Sequence, residues 1–447
     1  MKKTLCLLAA SLSITVSAQA FASEELRQAL VSTYDSNPRI KSQREALRSL
    51  DESVNQALSN FRPTASVTYE YGRQRTSFDG SDYNYGNAET RQLVVEQPIF
   101  RGGGTISEYS SARNSVLAGR AELLATEQGV FLDAVQAYMD VVQNQSVLEL
   151  SRNNVDVLAQ QLQASQDRFD VGEVTRTDVA QSESRLARAQ SDAIQAEGDL
   201  ASAIAQFERV VGFIPENRMP LPDMLAPLPE TLEQAIEIAM ESNPSYYVSK
   251  YRHEAAEDNV NVNIAPIMPQ VSLVGSMSRD DGAGVLGTSK FNSDEVKVRV
   301  RIPIYQSGSE YSRVREAKDR ARQRKYELQD TKEAIREGVT QAWENWQTSL
   351  STIRAQEEEI RAAEIALEGV REENQYGSRT VLDVLDAEQE LFIARVNLVR
   401  AQRERVVSAY NLLSVLGYLT ADKMALDTPL YNPEEHYDDV KFQFIGF

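Results

Sequence analysis

The 447-residue sequence holds one cysteine, two histidines and no apolar run long enough for a membrane-spanning helix beyond its N-terminus. Cys6 lies within a stretch in which Lys2 and Lys3 precede an apolar run from Leu5 to Val16 and then small residues. That layout predicts a secretory signal peptide over residues 1–22, cut after Ala20-Phe21-Ala22, with Ala18-Gln19-Ala20 as the alternative site. Cys6 sits well before the cut, so it is not the lipid-bearing first residue of a lipoprotein. The mature chain then has no cysteine, which excludes disulfides, a thiolate nucleophile and a Cys-based metal site. His253 and His436 fall in different kinds of segment, leaving a catalytic triad, a His zinc site or a His general base with little support. "RGGGT" at Arg101–Thr105 lacks the Gly-Lys-Ser/Thr ending of a phosphate loop and reads as a strand-to-helix turn. No enzyme, metal site or cofactor is expected. Basic charge is scarce too: the net charge is −19, and −21 without Lys2 and Lys3, so nucleic acid is not an expected partner. Without a run of 18 apolar residues, a membrane crossing would have to be a β-barrel.

What the sequence has is repetition. "LRQALVSTYDSNPRI" (26–40) returns as "LEQAIEIAMESNPSY" (232–246), with Asn37-Pro38 over Asn243-Pro244. Pro63 matches Pro269, "QPIFRGG" around Pro98 matches "IPIYQSG" around Pro303, and Val211-Gly212 matches Leu416-Gly417. The offset drifts only from 206 to 205 residues, so each half is one structural unit. The boundaries expected are a first repeat over 23–212, a proline-rich linker over 213–230, a second repeat over 231–417 and a C-terminal segment over 418–447. Five prolines between Phe213 and Glu230 make the linker an extended belt, and the tail is expected to do the same.

Each half reads helix, strand, loop, strand, long helix, turn, helix. Ala65, Val67, Tyr69 and Tyr71 alternate with polar residues, as do Val296, Val298, Val300 and Ile302. A period of two gives one apolar and one polar face. Strands are predicted at about 63–74, 89–99, 269–279 and 294–304, each about ten residues, enough to cross a bilayer at a tilt. The Gly- and Asp-rich stretches between paired strands, around 77–87 and 280–292, are predicted as exposed loops. The same alternation describes a soluble sheet wet on one side. Four strands are too few for a barrel of about eight or more, so either the sheet packs on something else or several chains share one barrel. From Gly104 to Arg168, and from Tyr305 to Asn374, there is no proline, which allows helices of roughly 100 Å at 1.5 Å per residue. Leu117, Leu124, Phe131 and Tyr138 recur every seven residues, the signature of coiled-coil packing. The returning helices, about Thr177–Val211 and Thr380–Leu416, carry a narrow apolar stripe.

Between the long helices and their returns stand "RFDVGEVTRTDV" (168–179) and "NQYGSRTVLDVL" (374–385). Gly172 and Gly377 suit tight left-handed turns. With the paired "SNP" motifs and with "QPIF" and "IPIY" closing the strands, the mature chain resembles the TolC family of outer-membrane efflux proteins along essentially its whole length. That resemblance implies a mainly α fold with a membrane β-barrel: a homotrimeric 12-stranded barrel continued by a long α-helical coiled-coil periplasmic tunnel, built from an internal duplication. It implies an outer-membrane location, contact with outer-membrane lipid, and an exit duct for a tripartite efflux pump or type I secretion system. The partners implied are a periplasmic adaptor and an inner-membrane pump of the RND or ABC type. The turns would be adaptor-contact tips at Val171, Gly172, Glu173 and Val174, and at Tyr376, Gly377 and Ser378. The family's periplasmic gate would fall on Arg379 in one tip and Thr177 and Asp178 in the other, with an Arg379–Asp178 ion pair; the alternative is an intrahelical Arg379–Asp383 pair. Asn374 stands where well-known members have tyrosine, and can still hydrogen-bond. Asp383 and Asp386 share a helix face; on a lone helix that is ordinarily a solvated surface, but in a three-fold tunnel it makes two rings of three carboxylates that attract cations.

Overall fold

The computed structural model describes residues 24–77, 83–215, 218–223, 227–284 and 287–443. The expected signal peptide lies outside the described residues, as do Phe444 and Phe447 of the aromatic tail. In chain order the elements are α1 (24–36), α2 (Pro38–Ser59), β1 (Thr64–Thr76), β2 (Asn84–Arg101), α3 (Gly104–Asp170) and α4 (Arg176–Val211), then α5 (Leu232–Ser242), α6 (Pro244–Ile264), β3 (Gln270–Gly284), β4 (Gly287–Arg301), α7 (Ser309–Gln375), α8 (Val381–Leu416) and a short α9 (Glu435–Val440). The described residues form two compact units: those within 24–43, 123–244 and 332–431, and those within 44–122, 245–331 and 432–443. Each draws segments from both sequence repeats.

The second unit holds a four-stranded antiparallel sheet in the order β1-β2-β3-β4. Its register sets Ala65, Val95, Gly275 and Val296 in one row, and Leu93 beside Val67 and Met277. Val67, Tyr69, Tyr71, Leu93, Val95, Leu273, Met277, Val296, Val298 and Val300 therefore share one face, and all are exposed. Thr68, Gln92, Ser278 and Ser293 form a row on the other face. Within the chain β1 and β4 are each paired on one side only. Proline cannot donate to a ladder, and the register slips between Pro98 and Phe100.

The strands are longer than the alternation suggested. β2 starts at Asn84, and the stretch read as a loop over 280–292 is strand at 280–284 and 287–292, paired from Asp280–Phe291 out to Gly284–Gly287, with 285–286 outside the described residues. Low strand propensity in Gly and Asp is overridden by a continuous partner ladder. β4 also stops at Arg301, short of Ile304. The C-terminal segment is not wholly extended, because α9 is anchored: His436 Nδ1 lies 3.1 Å from Asp51 of α2, and Glu434 pairs with Arg120 of α3 at 2.7 Å. Burial pushes the Asp51 carboxyl up, opposed by His436 and Arg120.

The core of the first unit gathers Leu26, Leu30, Phe131, Tyr138, Phe207, Tyr410 and Leu413. Phe131 and Tyr138 are core as their heptad positions predicted, whereas Leu124 is 44 % exposed. A helix drifts about 20° per heptad, and two heptads before Tyr138 that row has turned toward the flank. α4 buries Ser182, Ala189, Ala196, Ala203 and Val210, a strict seven-residue stripe of mostly small residues. α8 departs from the expected narrow stripe and buries residues along its whole length, since it packs beside α4 and α5 and reaches α3 through Arg403–Asp140 at 2.8 Å.

The repeated "SNP" and "VG"/"LG" motifs turn out to be partners. Asn37 caps α2, its Oδ1 accepting from Arg39 N–H at 2.9 Å, while its Nδ2 donates to Val210 O at 2.9 Å. Asn243 donates likewise to Val415 O at 2.7 Å. These bonds satisfy last-turn carbonyls that a helix leaves unpaired. Gly212 and Gly417 then leave α4 and α8 in left-handed geometry, φ 95° and 84°. A Cβ on Gly417 would lie 2.3 Å from Ser242 O, a backbone atom; on Gly212 it would meet Ser36 Oγ at 2.6 Å, a side chain that can turn aside. Gly417→Ala is therefore expected to lower the thermal midpoint more than Gly212→Ala, beyond the shared left-handed strain of about 1–2 kcal/mol. Asn243→Ala should cost roughly 1–3 kcal/mol by orphaning a buried carbonyl. Parallel thermal melts check both, and equal midpoints for the two glycine variants would contradict the latch geometry.

Candidate functional site

The two turns repeated within the chain share one backbone hydrogen-bond pattern. Gly172 N–H donates to Phe169 O and Glu173 N–H to Arg168 O, both at 2.9 Å; Gly377 N–H donates to Asn374 O and Ser378 N–H to Glu373 O, both at 3.0 Å. Each is a Schellman closure, with glycine at the left-handed position, φ 80° and 73°. Three residues later a threonine restarts the chain. Thr175 and Thr380 cap α4 and α8 in capping boxes, with Asp178 and Asp383 as the reciprocal acids. Each carboxylate accepts from its threonine's backbone N–H and hydroxyl, all at 2.8 Å.

The Arg379–Asp178 ion pair expected from the sequence is not made within one chain among the described residues. Within the chain Asp178 is engaged by Thr175, and Arg379 Nε donates to Glu373 at 2.8 Å. The intrahelical alternative is not a contact pair either, although the Arg379 charge helps hold the Asp383 carboxyl below its ordinary range, after the larger effect of the Thr380 donors. Glu373 in turn raises the Arg379 guanidinium. The first turn has the reverse polarity: Arg168 Nε reaches Glu173 at 3.2 Å. Arg168 and Glu373 occupy equivalent positions in the repeats. Thr177 is exposed, Val171 is 72 % exposed and Tyr376 88 %, so the turns present apolar side chains outward.

The turns are joined. Asn374, only 8 % exposed, donates through Nδ2 to Arg379 O at 2.9 Å and accepts from Arg168 Nη1 at 3.1 Å, bridging one turn to the other. One layer inward, Arg185 of α4 donates to Asp386 of α8 at 2.5 Å. Leu158, Ala189, Val381 and Leu385 form a small apolar cluster there, with Val174 packed against it. Behind it Arg371 pairs with the buried Glu388. Sequence reasoning placed Asp383, Asp386, Asn374 and Arg379 here but missed Arg168, Arg185 and Glu373. The charge reversal between Arg168 and Glu373 at equivalent positions was the available signal. Among the described residues no group of three or more His, Cys, Asp or Glu is placed to hold a metal ion.

A model of the outer membrane efflux protein family matches residues 29–212 and again 235–418, once for each repeat. The chain belongs to that family. This efflux protein is 34 % identical over 428 residues to the outer membrane efflux protein BepC of Brucella suis biovar 1, covering 96 % of this chain and 93 % of BepC. It is 24 % identical over 429 residues to the outer membrane protein TolC of Vibrio cholerae serotype O1, covering 94 % and 96 %. Its fold is similar to the Campylobacter jejuni CmeC outer membrane channel, with a TM-score of 0.80 over 95 % of this chain and 90 % of that one at 15 % identity. It is thus an outer-membrane protein of efflux, from a family of channel proteins.

The Thr380–Asp383 cap carries a pH signature. A carboxylate held below its ordinary pKa stabilises fully above the unfolded value, about 3.9, and loses that contribution as pH falls through the depressed folded value. Asp383→Asn is therefore expected to flatten the acid limb of stability below about pH 4, and Thr380→Ala to cost about 1 kcal/mol at neutral pH. Urea unfolding across a pH series tests both; an unchanged acid limb in Asp383→Asn would count against the cap.

Proposed function

We propose that three copies of the chain close a twelve-stranded outer-membrane barrel, and that the joined turns form the gated periplasmic mouth of an exit duct. The observation that carries this reading is the four-stranded sheet, with one exposed apolar face and two half-paired edges. In lipid every backbone group must find a partner, so an open sheet cannot stand there alone. Neighbouring copies supply the missing pairing, β4 of one beside β1 of the next. The long helices then form the tunnel wall. The exposed Val171 and Tyr376 with their glycine turns suit docking to a periplasmic adaptor, which links the duct to an inner-membrane pump of the RND or ABC type in efflux or type I secretion.

In this reading Arg185–Asp386 and Arg168–Asn374 hold the mouth closed, and Asp383 and Asp386 supply rings of negative charge that favour cations. Opening breaks those links and moves α4 and α8 outward.

Planar-bilayer recordings test the mouth. Arg185→Ser is expected to raise conductance by loosening the α4–α8 link and freeing Asp386. Asp383→Ala with Asp386→Ala should shift the reversal potential in a salt gradient toward zero cation preference. If neither conductance nor selectivity changes in channels that still insert, the gate is not at these turns.

A further inference from the structure

The duplication supplies an internal control for one seam. In the first repeat α2 packs tightly on α3: a Cβ on Gly119 would sit 2.6 Å from Leu50 Cδ2, and Ala57 and Ala118 are buried. At the repeat offsets Leu50 corresponds to Ala256, Gly119 to Arg324, Ala57 to Asn263 and Ala118 to Gln323. The second repeat keeps the helix pair, α6 on α7, but its seam has opened. A cavity of about 310 Å³ lies there, its polar lining made of Asn259, Asn263, Arg313, Arg320, Gln323 and Arg324 together with one carboxylate, Glu316. The small residue has moved to the other helix, and guanidiniums and amides stand where the first repeat is dry.

Charge follows the same split. Between Ser309 and Tyr326 there are seven basic residues and three acidic ones, in a chain of net charge −19; the matching stretch, Gly104–Ala121, has two basic and one acidic. Arg320 pairs with Glu316 and Arg324 with Glu327, each at 2.6 Å, while Arg313 makes no ion pair or hydrogen bond among the described residues. Arginine forks and amide N–H groups are the donors that recognise phosphate oxygens.

We propose that the α6–α7 seam is a binding site for a small phosphate-bearing anion, with Arg313, Arg320 and Arg324 as its cationic wall and Asn259 and Gln323 as neutral donors, Asn259 being held in place by Asn263. The site lies on α7 directly after β4, so the phosphate comes either from a soluble molecule or from a lipid headgroup. This inference goes beyond the duct reading, and its test reads binding without flux, so either can fail alone.

Calorimetric titration of the purified full-length mature protein in non-ionic detergent tests the site, with inorganic pyrophosphate in one arm and phosphatidylglycerol doped into the micelle in the other. Ionic strength is held constant with chloride. Ala256→Leu with Arg324→Gly copies the dry seam of the first repeat; Arg313→Gln with Arg320→Gln removes charge while keeping side-chain length. Saturable binding in either arm, weakened roughly tenfold or more in each variant that keeps the helical circular dichroism of wild type, is the expected result. Saturation by pyrophosphate identifies a soluble ligand, and saturation by lipid alone identifies a headgroup. Should the seam-swap variant fail to fold, the glutamine variant decides. No saturable heat above the chloride background in either arm, or unchanged affinity in a folded variant, overturns the site.

Discussion

A helix end or a sheet edge leaves peptide groups without partners, and leaving them unpaired away from water costs more than any one contact returns. The recognisable motifs of this chain answer that constraint. Asn37 caps a helix start and closes the last turn of another helix with the same side chain, and Asn243 closes the last turn of α8 in the same way. At the turns, a Schellman glycine ends each long helix and a Thr–Asp capping box starts the next within a few residues. The unanswered case is the sheet, whose outer edges have no partner within one chain. Membership of an outer-membrane family gives that gap its meaning, because lipid offers no water to fill it.

Duplication lets the halves be compared position by position, and the differences concentrate where the repeats do different work. Backbone devices are kept: both turns, both capping boxes, both asparagine latches. Side-chain charge is not. Arg168 of the Arg168–Glu173 pair is replaced at its equivalent position by Glu373 of the Glu373–Arg379 pair, so the two turns present opposite charge at that one site. α4 keeps a narrow stripe of small residues while its counterpart α8 is buried along its length.

What the sequence made legible is what local chemistry determines. Proline-free stretches marked the long helices, alternation marked the strands, and Gly172 and Gly377 marked the turns, because each signal is a constraint on φ, ψ or side-chain period. Partnerships were less legible. Arg379 was matched to Asp178, yet Glu373 lies closer along the same turn and Thr175 already engages Asp178. The Gly- and Asp-rich hairpin ends read as loops because propensity cannot register a ladder supplied by the neighbouring strand. Arg185 gave no signal, since its partner lies 201 residues away on another helix.

The strength of the joined turns bears on how such a mouth can work. Arg185–Asp386 is partly exposed, so it is worth about 0.2–1 kcal/mol, and the Arg168–Asn374 hydrogen bond about 1 kcal/mol. In a threefold assembly those links sum to roughly 3–6 kcal/mol. At the proposed mouth that would hold the closed form dominant, yet it lies within what one docking partner could supply by binding the open form more tightly. The apolar cluster of Leu158, Ala189, Val381 and Leu385 differs in kind. Its attraction is non-directional, so α4 and α8 can roll across it without losing it at once. In the proposed gate, directional polar links at the rim and a non-directional pivot behind them would make a joint that opens at one end while the helices stay packed along the rest of their length.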